Sequence, residues 1–166
     1  MRVAGIIRDS LVNGKGLRDV VFLQGCPHHC KGCHNPETWA YNNGKDISEE
    51  QLAKMFEDSP NDITISGGEP FLQWGEVMQF MKYVCEKNPN KRFWIYTGYL
   101  YELISWIVEG CMQPYVTVVV DGKYKEDEKD QNCLYRGSRN QRLIDVHKTI
   151  ENNRVTLWEE NYETQS

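Results

Sequence analysis

The hydrophobic residues of this chain follow two alternating patterns, one typical of strands and the other typical of helices. Short apolar runs rich in β-branched and aromatic residues predict strands at 2–7, 19–23, 62–65, 92–96 and 115–120. Between the later strands, apolar residues recur every three or four positions, which predicts helices at 49–58, 74–87 and 100–109. Ser48 precedes the first of these helices and is suited to capping its amino end.

Repeated strand and helix units indicate a parallel sheet, because each helix carries the chain back to the start of the next strand. The first two strands are instead joined by residues 13–16, in which an Asn-Gly pair favours a tight turn. The units are too few for a closed barrel of eight strands. We therefore predict a single α/β domain over 1–166, a small open or partial (β/α) barrel with mostly parallel strands and active residues at their carboxyl ends. The polar residues 159–166 are predicted to fray.

The composition is that of an ordinary globular protein with a mild acidic excess. Its 166 residues are 40% hydrophobic and 26% charged, and the formal net charge is -5. We expect no nucleic-acid partner, because such binding needs an excess of Lys and Arg to displace counterions from phosphates. No apolar run is long enough to span a membrane, and residues 1–8 lack the apolar stretch of a signal peptide. A cytoplasmic protein without a membrane partner is expected.

Three of the six cysteines, Cys26, Cys30 and Cys33, lie in one short loop at 25–36. A reducing cytosol disfavours structural disulfides, so clustered thiols there indicate metal binding or catalysis. Three thiolates alone leave one ligand position of a metal site open. The remaining cysteines are not clustered and are interpreted as small buried hydrophobes or bystanders, not as ligands; they are Cys85, Cys111 and Cys133.

The number of thiols in this loop helps to distinguish three kinds of site: structural zinc, a redox pair and an iron-sulfur cluster. Structural zinc needs four protein ligands, and a histidine of the same loop (His28, His29 or His34) would be strained in completing a tetrahedron. A redox pair is a second alternative. An iron-sulfur cluster is larger and can be held by closely spaced cysteines, and three of them imply an exposed iron where a substrate can bind. The count favours the cluster, with zinc and a redox pair as alternatives.

A second candidate segment, Gly67-Gly68-Glu69, follows a predicted strand, as the cysteine loop does. Both segments should therefore lie at the same edge of the sheet. Two glycines allow a ligand to approach the backbone closely, and the Glu69 carboxylate can accept hydrogen bonds from an ammonium group. The segment suits an amino acid ligand, with a plain strand-to-helix turn as the alternative.

The order of these two segments resembles the radical S-adenosylmethionine superfamily, in which C-x3-C-x2-C follows the first barrel strand and Gly-Gly-Glu follows the second. Four longer segments resemble the family of anaerobic ribonucleotide reductase activating proteins, and the resemblance covers nearly the whole chain. They are GCPHHCKGCHNPETW (25–39), YTGY (96–99), VDGKY (120–124) and RGSRNQR (136–142). The activases of pyruvate formate-lyase are similar in the cysteine loop but are longer.

This resemblance implies a radical SAM type of barrel, a cofactor and a partner. The three loop cysteines would hold a 4Fe-4S cluster, S-adenosyl-L-methionine would bind its free iron, and the Gly-Gly-Glu segment would hold the ammonium group. Reductive cleavage would give a 5'-deoxyadenosyl radical, which removes a hydrogen from a glycine of anaerobic ribonucleoside-triphosphate reductase. The resemblance thus implies an oxidoreductase that uses a one-electron donor such as flavodoxin or ferredoxin, with no catalytic residue beyond the cluster ligands.

Two other activities share these motifs. One is a radical S-adenosylmethionine enzyme that acts on a small molecule, and the other is an activase of enzymes similar to pyruvate formate-lyase. The glycine that receives the radical is not named by this sequence.

One residue departs from the superfamily pattern, which usually has an aromatic residue just before the third cysteine. Gly32 stands at that position, as it does in the small activases that this chain resembles. By resemblance, the backbone of Gly32, Cys33 and His34 contacts the adenine of the bound nucleoside, and the His34 ring is a candidate for stacking on it. His28 and His29 lie between ligand positions and are interpreted as supporting or surface residues.

Two charged segments have less specific patterns. Residues 123–130 mix both signs without an apolar stripe, which is typical of a solvated loop, and a docking surface is the alternative. Residues 136–142 carry three arginines, which could pair with a carboxylate or with an acidic partner surface. The alternative for this second segment is an exposed loop that leads into a helix.

Overall fold

The computed structural model describes residues 1–160 as one open sheet with four α-helices. The strands are β1 (Arg2–Ser10), β2 (Arg18–Leu23), β3 (Lys45–Asp46), β4 (Asp62–Gly67), β5 (Phe93–Tyr96), β6 (Val116–Asp121) and β7 (Arg142–Asp145). The helices are α1 (Glu49–Lys54), α2 (Trp74–Lys87), α3 (Tyr101–Ile107) and α4 (Val146–Asn152). Of the residues predicted to fray, 161–166 lie outside the described part of the chain. Within 1–160, no helix is long and apolar enough to cross a membrane.

The sheet has the order β3-β1-β2-β4-β5-β6-β7, with parallel pairing at its centre. The pairs β2/β4, β4/β5 and β5/β6 are parallel, while β1/β2, β1/β3 and β6/β7 are antiparallel. The α/β class is confirmed, but parallel pairing is limited to the four central strands. The edges β3 and β7 do not pair with each other, so the sheet is open, and a radical SAM type of barrel stays a prediction.

All four helices pack against one face of the sheet. Alternate strand residues such as Ile63, Ile65 and Ile95 point into this helix-covered core and are fully buried. Phe80 of α2 lies at its centre, with its ring centroid 6.0 Å from that of Phe93. Burying a side chain of this size stabilises the fold by about 1.5–3 kcal/mol, so the helix face supplies the main apolar core.

The opposite face carries polar and aromatic side chains. The buried Arg18 donates from Nε to Thr64 Oγ1 at 2.8 Å, and its guanidinium lies 5.4 Å from the Trp94 ring centroid. Burial lowers the pKa of Arg18 to about 10. Gly14 leaves room for this arginine, since a Cβ there would lie 2.7 Å from Arg18 Cδ. The predicted tight turn is wrong, because residues 11–17 form a longer connection around the arginine.

Three elements were not predicted from the hydrophobic pattern. Strand β3 has two residues, and β7 has only two apolar residues, which suffice because its partner β6 is already fixed in the sheet. Helix α4 begins at the capping side chain of Asp145 and ends at Asn153 in the left-handed conformation, with φ 53°. Short elements of this kind depend on tertiary packing more than on a local pattern.

Candidate cofactor site at the carboxyl edge of the sheet

The cysteine loop and the Gly-Gly-Glu segment leave neighbouring strands at the same edge. Leu23, the last residue of β2, is aligned with Gly67, the last residue of β4. Beyond the strands, the amide of Gly68 donates to Leu23 O at 2.7 Å, and that of Glu69 donates to Gly25 O at 2.8 Å. The parallel register therefore brings together the two segments that the sequence singled out.

Close backbone packing explains why this segment has two glycines. Gly67 has a φ of +90°, and a Cβ there would lie 2.4 Å from Leu23 N. At Gly68 a Cβ would lie 2.2 Å from Gly25 O. Both distances are far below van der Waals contact, so a larger residue would push β4 away from β2 at Gly67 and would displace the start of the cysteine loop at Gly68. Their predicted contact with an ammonium group stays a prediction.

A cleft of about 570 Å³ opens at this edge and is lined by the three loop cysteines. Cys26 is buried, whereas Cys30 and Cys33 are half-buried. No three Cys, His, Asp or Glu side chains in residues 1–160 converge closely enough to hold a single metal ion. Three thiol donors around one cleft are a donor set of the kind that holds an iron-sulfur cluster.

Backbone amides lie near all three sulfur atoms. The amides of His28 and His29 act to lower the pKa of Cys26, and the amide of Tyr124 acts to lower that of Cys30. Asn35 N donates to the third sulfur, Cys33 Sγ, at 3.4 Å. Such hydrogen bonds are found around the sulfurs of iron-sulfur clusters, where they tune the reduction potential.

Burial raises the pKa of two of these thiols. For Cys26 the nearby charge of Glu69 adds to burial, and the two backbone amides only partly oppose the shift. For Cys30 burial is again the largest cause, and the amide of Tyr124 opposes it. Both thiols must lose their protons to ligate a metal, so cluster binding at this site is coupled to proton release.

The carboxylate of Glu69 lies behind the cleft, and both of its oxygens accept hydrogen bonds from the protein. Its Oε1 accepts hydrogen bonds from His28 Nε2 and Thr97 Oγ1, each at 2.7 Å. The same oxygen accepts from Gly98 N at 2.8 Å, and Oε2 accepts from Phe71 N at 2.9 Å. Glu69 is 0% exposed. Its direct contact with an ammonium group stays a prediction, and in this structure its acceptors already have protein donors.

Gly32 lies in a turn under a neighbouring loop. Its φ is +78°, and a Cβ at this position would lie 3.0 Å from the carboxyl group of Glu126. The ring of His34 lies 5.2 Å from that of Tyr124, in the same neighbouring loop. Part of the segment predicted as a solvated loop (123–130) therefore covers the cysteine loop. Gly32 is required by this turn, and the adenine contacts predicted for residues 32–34 stay predictions.

The first and last arginines of the segment 136–142 have different surroundings. Arg142 pairs with Asp121 at 2.6 Å and with Glu102 at 2.8 Å, so its partners are in its own chain. Arg136 instead lines the cleft, where its Nη1 donates to Gln141 O at 3.0 Å. Its Nε is buried and has no hydrogen-bond partner within residues 1–160. The sequence shows three arginines in seven residues, but only the fold shows that Arg136 lines the cleft while Arg142 is paired within its own chain.

Two further cleft residues were not assigned to the site from the sequence. Cys133 was interpreted as a small buried hydrophobe or a bystander, and in the structure it lines the cleft together with Tyr124. Both residues belong to the long connection between β6 and β7, and the antiparallel return of β7 brings this connection over the cysteine loop.

Comparison with protein families assigns this fold and site to a class. Residues 12–144 match the model of a family described as a 4Fe-4S single cluster domain. The fold and the three thiols thus define an iron-sulfur protein of the α/β class.

Individual relatives narrow this class. The chain is 34% identical to the anaerobic ribonucleoside-triphosphate reductase-activating protein of Pasteurella multocida, over 79% of this chain and 89% of that protein. It is 36% identical to the protein of that name from Enterobacteria phage T4, over 80% of this chain and 86% of the phage protein. The chain is 32% identical to the protein of that name from Escherichia coli K12, over 79% of this chain and 90% of that protein. The chain belongs to the family of anaerobic ribonucleoside-triphosphate reductase-activating proteins.

Proposed function

We propose that this chain activates anaerobic ribonucleoside-triphosphate reductase by generating a glycyl radical on it. In this proposal Cys26, Cys30 and Cys33 hold the 4Fe-4S cluster. When bound, the cluster supplies the electron for reductive cleavage of S-adenosyl-L-methionine, whose products include the species that takes hydrogen from the glycine. The observation that carries the proposal is that the three cysteines line one cleft together with the Gly67-Gly68 pair.

The cleft has the size and the polar groups that S-adenosyl-L-methionine requires. Its volume of about 570 Å³ lies in the range of small-molecule sites. The unpartnered Nε of Arg136 supports a site for a carboxylate, because a guanidinium donates well-directed hydrogen bonds to that group. The glycine backbone at 67–68 lines the same cleft and could approach the ammonium group. We propose that these residues orient the methionyl moiety.

We propose that exposed apolar residues at the rim of the cleft contact the partner. Leu11 and Val12 line it and are 66% and 74% exposed, and Leu134 lines it as well. Apolar residues exposed beside a site are suited to a protein partner, here the polypeptide that carries the glycine. Removal of a hydrogen atom needs no general acid or base, so no side chain is assigned that role. We propose flavodoxin or ferredoxin as the electron donor.

Anaerobic reconstitution of the full chain with iron and sulfide tests the cluster and cofactor chemistry. We expect a brown protein with about four irons per chain, which cleaves S-adenosyl-L-methionine to methionine and 5'-deoxyadenosine after reduction. Both products are measured by chromatography. A colourless protein that binds one zinc ion, or a brown protein that gives neither product, would refute the proposal.

A further inference from the structure

His28 lies between the first two loop cysteines, lines the cleft and reaches Glu69 behind it. Its side chain is 6% exposed, and Nε2 lies 2.7 Å from Glu69 Oε1. The ring packs edge-on against Tyr99 at 4.6 Å between centroids. It also covers Gly98, where a Cβ would fall 2.4 Å from the imidazole. His28 is therefore buried and fitted to its surroundings, unlike an ordinary loop histidine.

The partner of His28 is itself fixed from two strands. Glu69 follows β4, and its carboxylate accepts from the amide of Phe71 in the next turn. It also accepts from Thr97 Oγ1 and Gly98 N, which follow β5. A carboxylate with three such donors is a rigid anchor, because moving it would leave buried polar groups unpaired.

We infer that His28 is a positioning residue, which through Glu69 holds the segment between Cys26 and Cys30 against the ends of β4 and β5. The cysteine loop then has its ligating shape before metal arrives. His28 follows Cys26 by two positions, so fixing its ring also restrains the backbone beside the Cys26 thiol. This role rests on the proposed function of the cysteines, and it gives Glu69 a task that requires no contact with the cofactor.

His29 provides a matched control at the adjacent position. Its ring stacks on Trp39, with centroids 4.7 Å apart and planes 10° from parallel. Both histidines lie between Cys26 and Cys30, so their replacements disturb the same stretch of sequence. Only the replacement of His28 removes the hydrogen bond to Glu69.

The test compares His28→Leu, His28→Gln and His29→Leu in the full-length apo protein under anaerobic conditions. The rate of Cys26 alkylation, followed by mass spectrometry, reports opening of the loop, because this cysteine is buried. We expect H28L to raise the rate about tenfold or more, since it removes a hydrogen bond to a charged group. Glutamine places an amide donor near the position of Nε2, so H28Q should restore most of the protection. H29L should leave the rate near that of the wild type.

The reconstituted variants give a second readout that a general loss of stability would not move. We expect the electron paramagnetic resonance spectrum of the reduced cluster to change in H28L and to recover in H28Q. Unchanged alkylation in H28L would overturn the inference, and so would an equal rise in H28L and H29L. If the wild type takes up no iron while the alkylation rates differ as expected, the proposed function fails and the role of His28 in shaping the loop stands.

Discussion

The two ends of the central parallel strands differ in how their polar groups are satisfied. At the amino end, Asp19 is 1% exposed and accepts hydrogen bonds from Arg8, Ser59 and Asn61. Lys91 donates there to the carbonyl groups of residues 59 and 61, so this end is closed by its own contacts. At the carboxyl end the three thiols line an open cleft. The amino end stabilises the sheet, and the carboxyl end keeps its reactive groups available for a ligand.

The largest expected effect is loss of the cluster at the open end, with the closed end unchanged. Cys30→Ala should abolish the bound cluster, because two thiolates cannot replace three at this site. Iron content and 5'-deoxyadenosine production measure the loss. Cys85→Ala is the matched control, because Cys85 packs against the helix-side core, and it should retain both signals. A Cys30→Ala protein that keeps its iron would show that this thiol is not a ligand.

Gly68→Ala should break the contact between the two segments of the open end. A Cβ at this position would lie 2.2 Å from the carbonyl oxygen of Gly25, and neither backbone can move easily. We expect iron loading to fall at least about tenfold, with a loss of stability of about 1–3 kcal/mol. Gly75→Ala, where a Cβ would have no neighbour within 4 Å, is the control. Equal iron loading in the two variants would contradict the close packing of this loop.

Asp19→Ala should damage the closed end without changing the chemistry of the open end. Removing this carboxylate leaves several buried donors unpaired, which should lower the free energy of unfolding by about 3 kcal/mol. Chemical denaturation measures this loss. The exposed Asp46, paired with Arg2, provides the control, and Asp46→Ala should cost less than about 1 kcal/mol. A fall in iron per folded chain in Asp19→Ala would show that the two ends are not independent.

Arg136→Gln should weaken the binding of S-adenosyl-L-methionine at the open end, because we propose that Arg136 binds the carboxylate of this cofactor. Glutamine keeps a polar group but loses the charge and the paired donors of the guanidinium. We expect the affinity of the reconstituted protein for S-adenosyl-L-methionine to fall about tenfold. Equilibrium binding measures this change. Arg139→Gln in the same loop is the control, and equal losses in both variants would contradict a specific role for Arg136.

The smallest expected effect is a pH dependence that belongs to the closed end. Burial acts to raise the pKa of Asp19, but hydrogen bonds from Ser59, Asn61 and Asp9, with the charge of Arg8, outweigh it and lower the pKa. The unfolded chain then binds this proton more readily, so stability from Asp19 is present above about pH 4 and is lost as pH falls through the native value. Denaturation between about pH 3 and pH 6 should show a steeper loss in wild type than in Asp19→Asn. Parallel curves would contradict the lowered pKa.

The sequence predicted the regular parts of the fold well. Helix α2 was predicted at its observed bounds, because its apolar residues recur over four turns, and the central strands were recognised by their β-branched runs. The order and pairing at the sheet edges were missed, since β3 and β7 are short and depend on neighbours distant in sequence.

The site could be predicted only where its chemistry resides in residue type and spacing. Three closely spaced cysteines and a pair of adjacent glycines can be recognised in the sequence itself. The contact between His28 and Glu69 joins residues 41 positions apart, and no local pattern predicts it. Gly32 could not be explained from the sequence either, because its reason is the left-handed turn, with φ +78°, that the folded loop makes at this position.

Transfer of the radical to the reductase tests the proposed role of the open end most directly. The reconstituted chain is reduced with S-adenosyl-L-methionine in the presence of anaerobic ribonucleoside-triphosphate reductase, and electron paramagnetic resonance is recorded. A glycyl radical doublet that requires all components and disappears with Cys30→Ala is the expected result. If a competent reductase gives no doublet while S-adenosyl-L-methionine is cleaved, the chain acts on another substrate and the proposed activation is contradicted.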